Sequence, residues 1–174
     1  MAEESLIACI CEGSAEQAII NKLLDDDKLI FKRSDLLDRE VLRCRSARDF
    51  EDRYLGKGFK RKITVYRILD SRRENFNLRA AYKNKVDVVN VITAPEIEML
   101  VIINEGKFNE YSKHKSSVKP SVFCKDNLRM PNVKNLSFVS DYFSDTNTLI
   151  SAIKEYKRLS YIPKDEKCLL DILK

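Results

Sequence analysis

Four acidic residues are placed where their carboxylates could bind a metal ion. They follow three apolar stretches of the chain: Glu12, Asp70, Glu96 and Glu98. In open α/β sheets, functional clefts lie at the carboxyl ends of the strands, so acids at those ends converge if the strands are neighbours. Carboxylates, waters and phosphates are the oxygen ligands that Mg²⁺ prefers. A metal held there can activate water and orient a phosphodiester, so the pattern favours metal-dependent phosphodiester chemistry.

A simpler interpretation exists for part of this pattern. Acidic residues are favoured in the first turn of a helix because they complement the helix dipole. That effect alone could explain Glu16, Glu96 and Glu98, each of which follows a predicted helix start. It explains less well why Glu12 and Asp70 directly follow very apolar strands, and this favours the metal site.

Three stretches have the composition of strands buried in a parallel sheet. Leu6–Cys11 is apolar without polar alternation, as expected for a strand that is covered on both faces. Ile63–Leu69 and Val86–Ile92 are rich in β-branched residues. Two shorter stretches, Leu29–Phe31 and Glu40–Cys44, are further candidates. The prediction is a mostly parallel sheet of about four strands.

Helical patterns alternate with these strands and fill the last third of the chain. Ser14 and Ser46 are predicted N-caps of the first two helices, and Glu96 begins a helix after the last strand. The order predicts an α/β fold in which helices flank the sheet. The apolar tail Leu169–Leu173 could cover the sheet or contact a second copy of the chain in a homodimer.

The middle of the chain is strongly basic. Residues 28–85 carry 18 Lys and Arg against eight Asp and Glu, whereas the whole chain has a net charge of +5. Such a segment attracts phosphates, which favours a nucleic acid or nucleotide partner; solvated helix faces of mixed charge are the alternative. The densest group of bases comprises Lys57, Lys60, Arg61, Lys62, Arg67, Arg72 and Arg73. Arg43 and Arg45 alternate on one face of a predicted strand and could extend the phosphate contacts, with ordinary surface charge as an equal alternative.

Composition disfavours several other chemistries. The single histidine, His114, lies in a polar run, so we expect a solvated loop residue. Five cysteines occur without a CxxC pair, and zinc-ligand spacing is absent. No apolar run approaches the roughly 20 residues that cross a membrane, and the acidic N-terminus is unlike a signal peptide. We therefore expect a cytoplasmic protein with reduced thiols and no membrane partner.

Three short motifs lie at the ends of the predicted strands. Residues 9–16 read Cys-Ile-Cys-Glu-Gly-Ser-Ala-Glu, residues 68–72 read Ile-Leu-Asp-Ser-Arg, and residues 93–103 open an apolar helix. They resemble the motifs of Toprim-like domains, closest to the RloB-like and OLD-type nuclease branches: a strand ending in Glu-Gly, a strand ending in Asp-x-Asp, and a helix with an acidic residue in its first turn. On that match Glu98, not Glu96, takes the acidic position. With residues 119–128, the resemblance covers roughly residues 5–130.

The resemblance implies a Rossmann-like (Toprim-like) sheet of about four parallel strands between helices. Residues 1–130 would be the Toprim-like core, and residues 131–174 a helical C-terminal extension packed on the same domain. Most members of the superfamily use Mg²⁺, or Mn²⁺, to make or break phosphodiester bonds in DNA or RNA, and these branches are often linked to antiviral defence in bacteria. Glu12 would then be the general acid/base or a ligand, Asp70 the principal metal ligand and Glu98 a further ligand.

One position departs from the family pattern and leaves two interpretations open. Arg72 stands where the second Asp of Asp-x-Asp is expected, and Arg73 follows it. In the first interpretation, the chain is a nuclease with a reduced ligand set, and both arginines contact phosphate. In the second, Arg72 pairs with Asp70, and the chain is a non-catalytic module that binds nucleic acid or a partner protein such as an ATPase. A nucleotide sensor has less support, because no Gly-rich phosphate loop is present.

Overall fold

The computed structural model describes residues 6–56 and 61–174. A three-stranded parallel sheet is flanked by helices, so the α/β class is confirmed. The strands are β1 (Leu6–Cys11), β2 (Ile63–Leu69) and β3 (Val86–Ile92). The α-helices are α1 (Ser14–Asp25), α2 (Ala47–Phe50), α3 (Ala80–Lys83), α4 (Glu96–Asn104), α5 (Phe108–Ser112), α6 (Pro120–Asp126), α7 (Leu136–Tyr142) and α8 (Thr146–Leu159).

The sheet contains a switch point between β1 and β2. β2 lies between β1 and β3, and both pairs are parallel. On the other side of β1, Leu36 and Leu42 form isolated parallel bridges with Ile7 and Ile10. The chain that leaves β1 therefore returns first on one side of this strand, and β2 then lies on the other. In open α/β sheets, such a switch point opens a cleft at the carboxyl ends of the two flanking strands.

Fewer regular strands form than the sequence predicts. The described residues contain three strands instead of about four. Leu29–Phe31 and Glu40–Cys44 each contribute only one isolated bridge. A 3₁₀ turn at Leu37–Arg39 precedes the second of these stretches, and its residues Asp38 and Arg39 have positive φ angles. Because a strand requires extended backbone with negative φ, this turn limits the pairing with β1 to single bridges.

Each face of the sheet has its own apolar core. On one face, Cys9 and Ile68 belong to a cluster that includes residues of α1, α4 and α8. On the other face, Ala8 and Val65 pack in a cluster with Phe50 of α2. Because successive strand residues point to opposite faces, β1 is covered on both sides, which explains its continuous apolar sequence.

The two predicted N-caps have different outcomes. Ser46 accepts a hydrogen bond from a backbone N–H in the first turn of α2, as predicted. Ser14 lies inside the first turn of α1, after Gly13, and its hydroxyl donates to the carbonyl of Lys134 at 3.3 Å. α2 continues into a π-helix over Glu51–Leu55, a change of helix type that the sequence pattern does not indicate.

The connection between β2 and α3 is anchored against the second core. The ring of Phe76 packs on Phe50, with 6.0 Å between the ring centroids. Arg79 forms an ion pair of 2.5 Å with the almost fully buried carboxylate of Glu51, and its backbone N–H donates to the same carboxylate at 2.6 Å. These contacts place the connecting segment, which includes Glu74, at the carboxyl ends of β1 and β2.

The C-terminal third packs onto the first core. Leu149 and Ile153 of α8 belong to the same cluster as α1 and α4. The predicted tail helix is a single 3₁₀ turn over Leu169–Ile172, and Lys167 just before it pairs with β3 through an isolated parallel bridge. Within the described part of the chain, no helix is long and apolar enough to cross a membrane.

Candidate active site at the switch point

Glu12 and Asp70 meet at the carboxyl ends of β1 and β2. Each follows its strand directly, and the backbone N–H of Glu12 donates to the carbonyl of Ile68 at 3.3 Å. The negative charge of Asp70 acts on the carboxyl group of Glu12. They line a cleft of about 580 Å³ with Cys11, Arg43, Cys44, Arg45 and Glu74. The structure therefore brings together the two carboxyl groups on which the metal-site hypothesis most depends.

The carboxyl group of Glu12 is suited to proton transfer near neutral pH. Partial burial, followed by the negative charge of Glu74, raises its pKa to about 7. Asp70 adds charge repulsion and a hydrogen bond to the protonated form, whereas Arg67 opposes the shift. Glu12 can therefore accept or release a proton near pH 7, as general acid–base catalysis requires.

The carboxylate of Glu16, which the sequence pattern did not single out, interacts with the charge of Asp70, although Glu16 is not among the described residues that line the cleft. It is buried in the first turn of α1 and accepts a hydrogen bond from Thr93 Oγ1 at 3.2 Å. Burial raises its pKa, and the charge of Asp70 adds to this effect. A Cβ atom at Gly13 would collide with this carboxylate, so the glycine leaves room for it. The sequence does place an acidic residue one helical turn after Glu12, which could have indicated a second carboxylate at the site. The helix dipole explains an acid at that position equally well.

Glu98 is linked to the cluster through Lys134. Its almost fully buried carboxylate forms an ion pair of 3.1 Å with Lys134 Nζ. Burial disfavours the charge of Lys134, but Glu98, Asp70 and Glu16 outweigh this and raise its pKa. Lys134 is therefore a counter-charge shared by the acidic cluster. Glu98 itself is not among the described residues that line the cleft.

Glu96 lies on the far side of α4 from this cluster. Residues two positions apart in an α-helix are separated by about 200° around its axis, so Glu96 and Glu98 point in opposite directions. Glu96 is fully buried, and its Oε2 accepts a hydrogen bond from the N–H of Leu169 at 3.3 Å. Its Oε1 has no hydrogen-bond partner in the described structure. Burial raises its pKa to about 8, and the structure does not bring it to the cleft.

Two of the predicted phosphate contacts, Arg43 and Arg45, line the cleft. Both are exposed, whereas their neighbours Leu42 and Cys44 are buried. Leu42 is held against β1 by backbone hydrogen bonds of 2.7 and 3.0 Å, which fixes the position of this segment. Two guanidinium groups therefore stand beside the acidic cluster. Such groups bind phosphate oxygens through paired hydrogen bonds.

Arg72 is directed away from Asp70. It forms an ion pair of 2.7 Å with Glu166 and donates to the carbonyl of Ala94 at 2.9 Å. The Arg72–Asp70 pair of the non-catalytic interpretation is therefore not formed. Arg73 is exposed on the same connection, and neither arginine is among the described residues that line the cleft.

Two further bases of the predicted group, Arg61 and Lys62, lie at the opposite end of β2 from the cleft. Lys62 pairs with Asp87 at 2.7 Å, at the amino end of β2. At a strand rise of about 3.3 Å per residue, this lies roughly 25 Å from Asp70. Arg61 is exposed at the same end of the strand. Lys57 and Lys60 lie outside the described residues.

Arg67 is a second residue at the site that the sequence analysis did not select for a role. It lies within β2 and is only 2 % exposed. Its Nη2 is 3.5 Å from Glu12 Oε1, and its Nη1 donates to Asn90 Oδ1 at 3.4 Å. Its Cζ lies 4.7 Å from the ring centroid of Phe76. The sequence feature that could have indicated its role is that Arg67 is the one charged residue in the strand Ile63–Leu69.

The thiols at the cleft are not activated nucleophiles. Burial raises the pKa of Cys44 to about 12 and that of Cys11 well above its ordinary value. Because the thiolate is the reactive form, both side chains stay protonated and unreactive. His114 is exposed in a turn, as predicted. The carboxyl groups therefore carry the chemistry that this cleft can perform.

The donor set suits a magnesium ion that keeps part of its own coordination shell. Among residues 6–56 and 61–174, no three His, Cys, Asp or Glu side chains are arranged to hold an ion by themselves. Mg²⁺ usually binds through one or two carboxylates, with waters and substrate phosphates as the other ligands. Asp70 together with Glu12 or Glu16 meets that requirement. A divalent cation would also relieve the repulsion by Asp70 that contributes to the raised pKa values of both glutamates.

Comparisons with known proteins do not identify a relative of this chain. No protein-family model matches it. No curated protein and no solved structure matches it either. The function is therefore inferred from the cleft and its residues.

Proposed function

We propose that the chain is a Mg²⁺-dependent nuclease, a hydrolase of phosphodiester bonds in DNA or RNA, with a Toprim-like core over residues 1–130. One observation carries the proposal. Glu12 and Asp70 meet at the ends of adjacent parallel strands, in a cleft that Arg43 and Arg45 also line. Acidic groups for a metal and basic groups for phosphate are thus close together. A role in antiviral defence rests on the sequence resemblance alone.

The residues of the cleft have distinct roles in this proposal. Asp70 is the principal metal ligand, and Glu16, whose carboxyl group interacts with the charge of Asp70, would support it. The bound Mg²⁺ or Mn²⁺ would neutralise phosphate charge and lower the pKa of a bound water. Glu12 transfers the proton. Arg43 and Arg45 bind phosphate groups of the substrate at the edge of the cleft.

Loss of divalent-metal binding in Asp70→Asn is the first test. Asparagine keeps the shape of the side chain but lacks the charge that a hard cation prefers. We expect Mg²⁺ affinity to fall by at least about tenfold, the loss caused by removing even an outer-shell partner of a metal ligand. Calorimetric titration of Mg²⁺ and Mn²⁺ measures this, with cleavage of mixed DNA and RNA followed in parallel.

Two variants serve as controls for this titration. Asp87→Asn removes the same charge at the opposite end of the sheet, and Glu96→Gln removes a carboxyl group outside the cleft. Both should bind metal as the wild type does. If the wild type gives no heat of metal binding and no cleavage at millimolar Mg²⁺ or Mn²⁺, the nuclease proposal is wrong.

The salt dependence of nucleic-acid binding tests the roles of Arg43 and Arg45. Each phosphate contact releases counterions, so removing one contact should lower the slope of log affinity against log salt by about one. We expect Arg43→Gln and Arg45→Gln each to show this change, measured by fluorescence anisotropy with labelled single-stranded DNA and RNA. Lys62→Gln, at the far end of β2, should keep the wild-type slope. Equal slopes in all four proteins would remove these arginines from the interface.

A non-catalytic module that binds nucleic acid or an ATPase is the second candidate. The observation in its favour is the small number of carboxylates at the cleft, because Glu98 pairs with Lys134 and Glu96 lies elsewhere. The ion pair of Arg72 with Glu166 removes the other argument for it. Salt-dependent binding to nucleic acid, together with no heat of metal binding in the calorimetric titration, would favour this candidate.

A further inference from the structure

The burial of Arg67 calls for a physical explanation. A charged side chain that loses its hydration is costly unless other groups replace the water. Arg67 meets this requirement with three partners from three parts of the chain: Glu12 after β1, Asn90 on β3, and Phe76 on the connection after β2. Its guanidinium therefore lies where these three segments meet.

The three contacts use different properties of the guanidinium group. One terminal nitrogen faces Glu12, and the other donates to Asn90. The face of the group lies against the ring of Phe76, which is a cation–π contact. An ammonium group carries the same charge but lacks the planar fork that makes these contacts at once. The arrangement is thus specific to arginine.

Two of the three partners bear on the cleft. Glu12 lines it, and Phe76 lies two residues after Glu74, which lines it as well. The charge of Glu74 also interacts with Arg67. Any movement of the guanidinium would therefore shift both Glu12 and the segment that carries Phe76.

We propose that Arg67 is a positioning residue that holds the Glu12 carboxylate and the segment 71–79 in place around the cleft. The proposal rests on the proposed function for its catalytic consequence, but the positioning itself is independent of any metal or substrate. Arg67 does not touch the substrate. It acts through Glu12 and through Phe76.

Hydrogen–deuterium exchange of the Arg79 backbone amide, which ends the segment 71–79 and donates to Glu51, tests the positioning directly, without metal or nucleic acid. We expect exchange in Arg67→Met to be at least about tenfold faster than in the wild type, because a desolvated cation–π contact is lost with the ion pair. Arg67→Lys should show a similar increase, since it keeps the charge but not the fork. Arg61→Met is the matched control and should leave this segment unchanged.

Chemical rescue separates positioning from general stability. In Arg67→Ala, free guanidinium well below unfolding concentrations should slow the exchange of the Arg79 amide again, whereas ammonium should not. If the variants cleave nucleic acid, kcat should fall with little change in KM, and guanidinium should restore kcat.

Several outcomes would overturn the inference. Unchanged exchange in Arg67→Lys would show that charge alone is needed, and this variant decides the question if Arg67→Met does not fold. Rescue by ammonium as well as guanidinium would have the same meaning. If the proposed function is wrong, the wild type will neither bind metal nor cleave nucleic acid. The exchange experiment can still be interpreted in that case.

Discussion

Replacing Glu12 by glutamine is expected to slow metal-dependent cleavage by roughly 10²–10⁴-fold, the usual contribution of a general acid or base. Glutamine fills the same space but cannot exchange the proton that Glu12 binds with a pKa of about 7. The wild-type rate should therefore change with pH at or below neutrality, since bound metal relieves the repulsion by Asp70, and Glu12→Gln should lose this dependence. Single-turnover cleavage measured across this pH range tests both effects.

Glu74→Gln is the matched control, because Glu74 lines the same cleft and its charge raises the pKa of Glu12. Without that charge Glu12 should ionise at lower pH, so the inflection of the rate profile should move to lower pH but persist. Metal titration adds a second distinction, since Glu12→Gln should bind Mg²⁺ much as the wild type does if Glu12 is a proton carrier. Equal rate losses in the two variants would contradict this role.

Replacing Glu96 by glutamine should make the protein more stable at alkaline pH. The folded protein holds a proton on Glu96 up to a pKa of about 8, whereas the unfolded chain releases it near 4.5. The free energy of unfolding of the wild type therefore falls as pH rises between these values, by at most about 1.4 kcal/mol per pH unit. Glutamine cannot ionise, so above pH 8 the variant should be more stable by roughly 3–5 kcal/mol.

Urea unfolding from about pH 5 to about pH 8.5 measures this difference. The advantage of Glu96→Gln should be small at the acidic end and grow with pH, since glutamine can still accept the hydrogen bond of Leu169. Glu155→Gln on α8 is the control, because Glu155 forms a partly exposed ion pair with Arg158 and should change stability little. A constant difference between wild type and Glu96→Gln across the pH range would contradict the explanation.

Much of the local structure follows from the sequence. Leu6–Cys11, Ile63–Leu69 and Val86–Ile92 are strands with the predicted bounds, and Glu96–Asn104 is the predicted helix. Leu6–Cys11 is recognisable because burial on both faces demands uninterrupted apolar residues. β3 is largely exposed instead, and its β-branched residues identify it as a strand. The positions of Glu12 and Asp70 at strand ends follow from the same reasoning, and parallel pairing then brings them to one edge.

Helix geometry separates Glu96 from Glu98, although both are predicted at one metal site. Two residues that are two positions apart in a helix necessarily point in opposite directions. The sequence could have shown that only one of them reaches a shared site. The packing of α4 was needed to show that Glu98 faces Lys134 and that Glu96 faces Leu169.

The partners of the charged side chains were decided by the tertiary structure. Arg72 pairs with Glu166, 94 residues away, and not with Asp70 two residues before it. Arg67 is buried against Glu12 and Phe76, although in sequence it belongs to a basic stretch that resembles a surface patch. Local patterns in a sequence reflect the periodicity of strands and helices. Long-range ion pairs such as these instead depend on which distant segments approach each other when the core packs, and no local pattern records that approach.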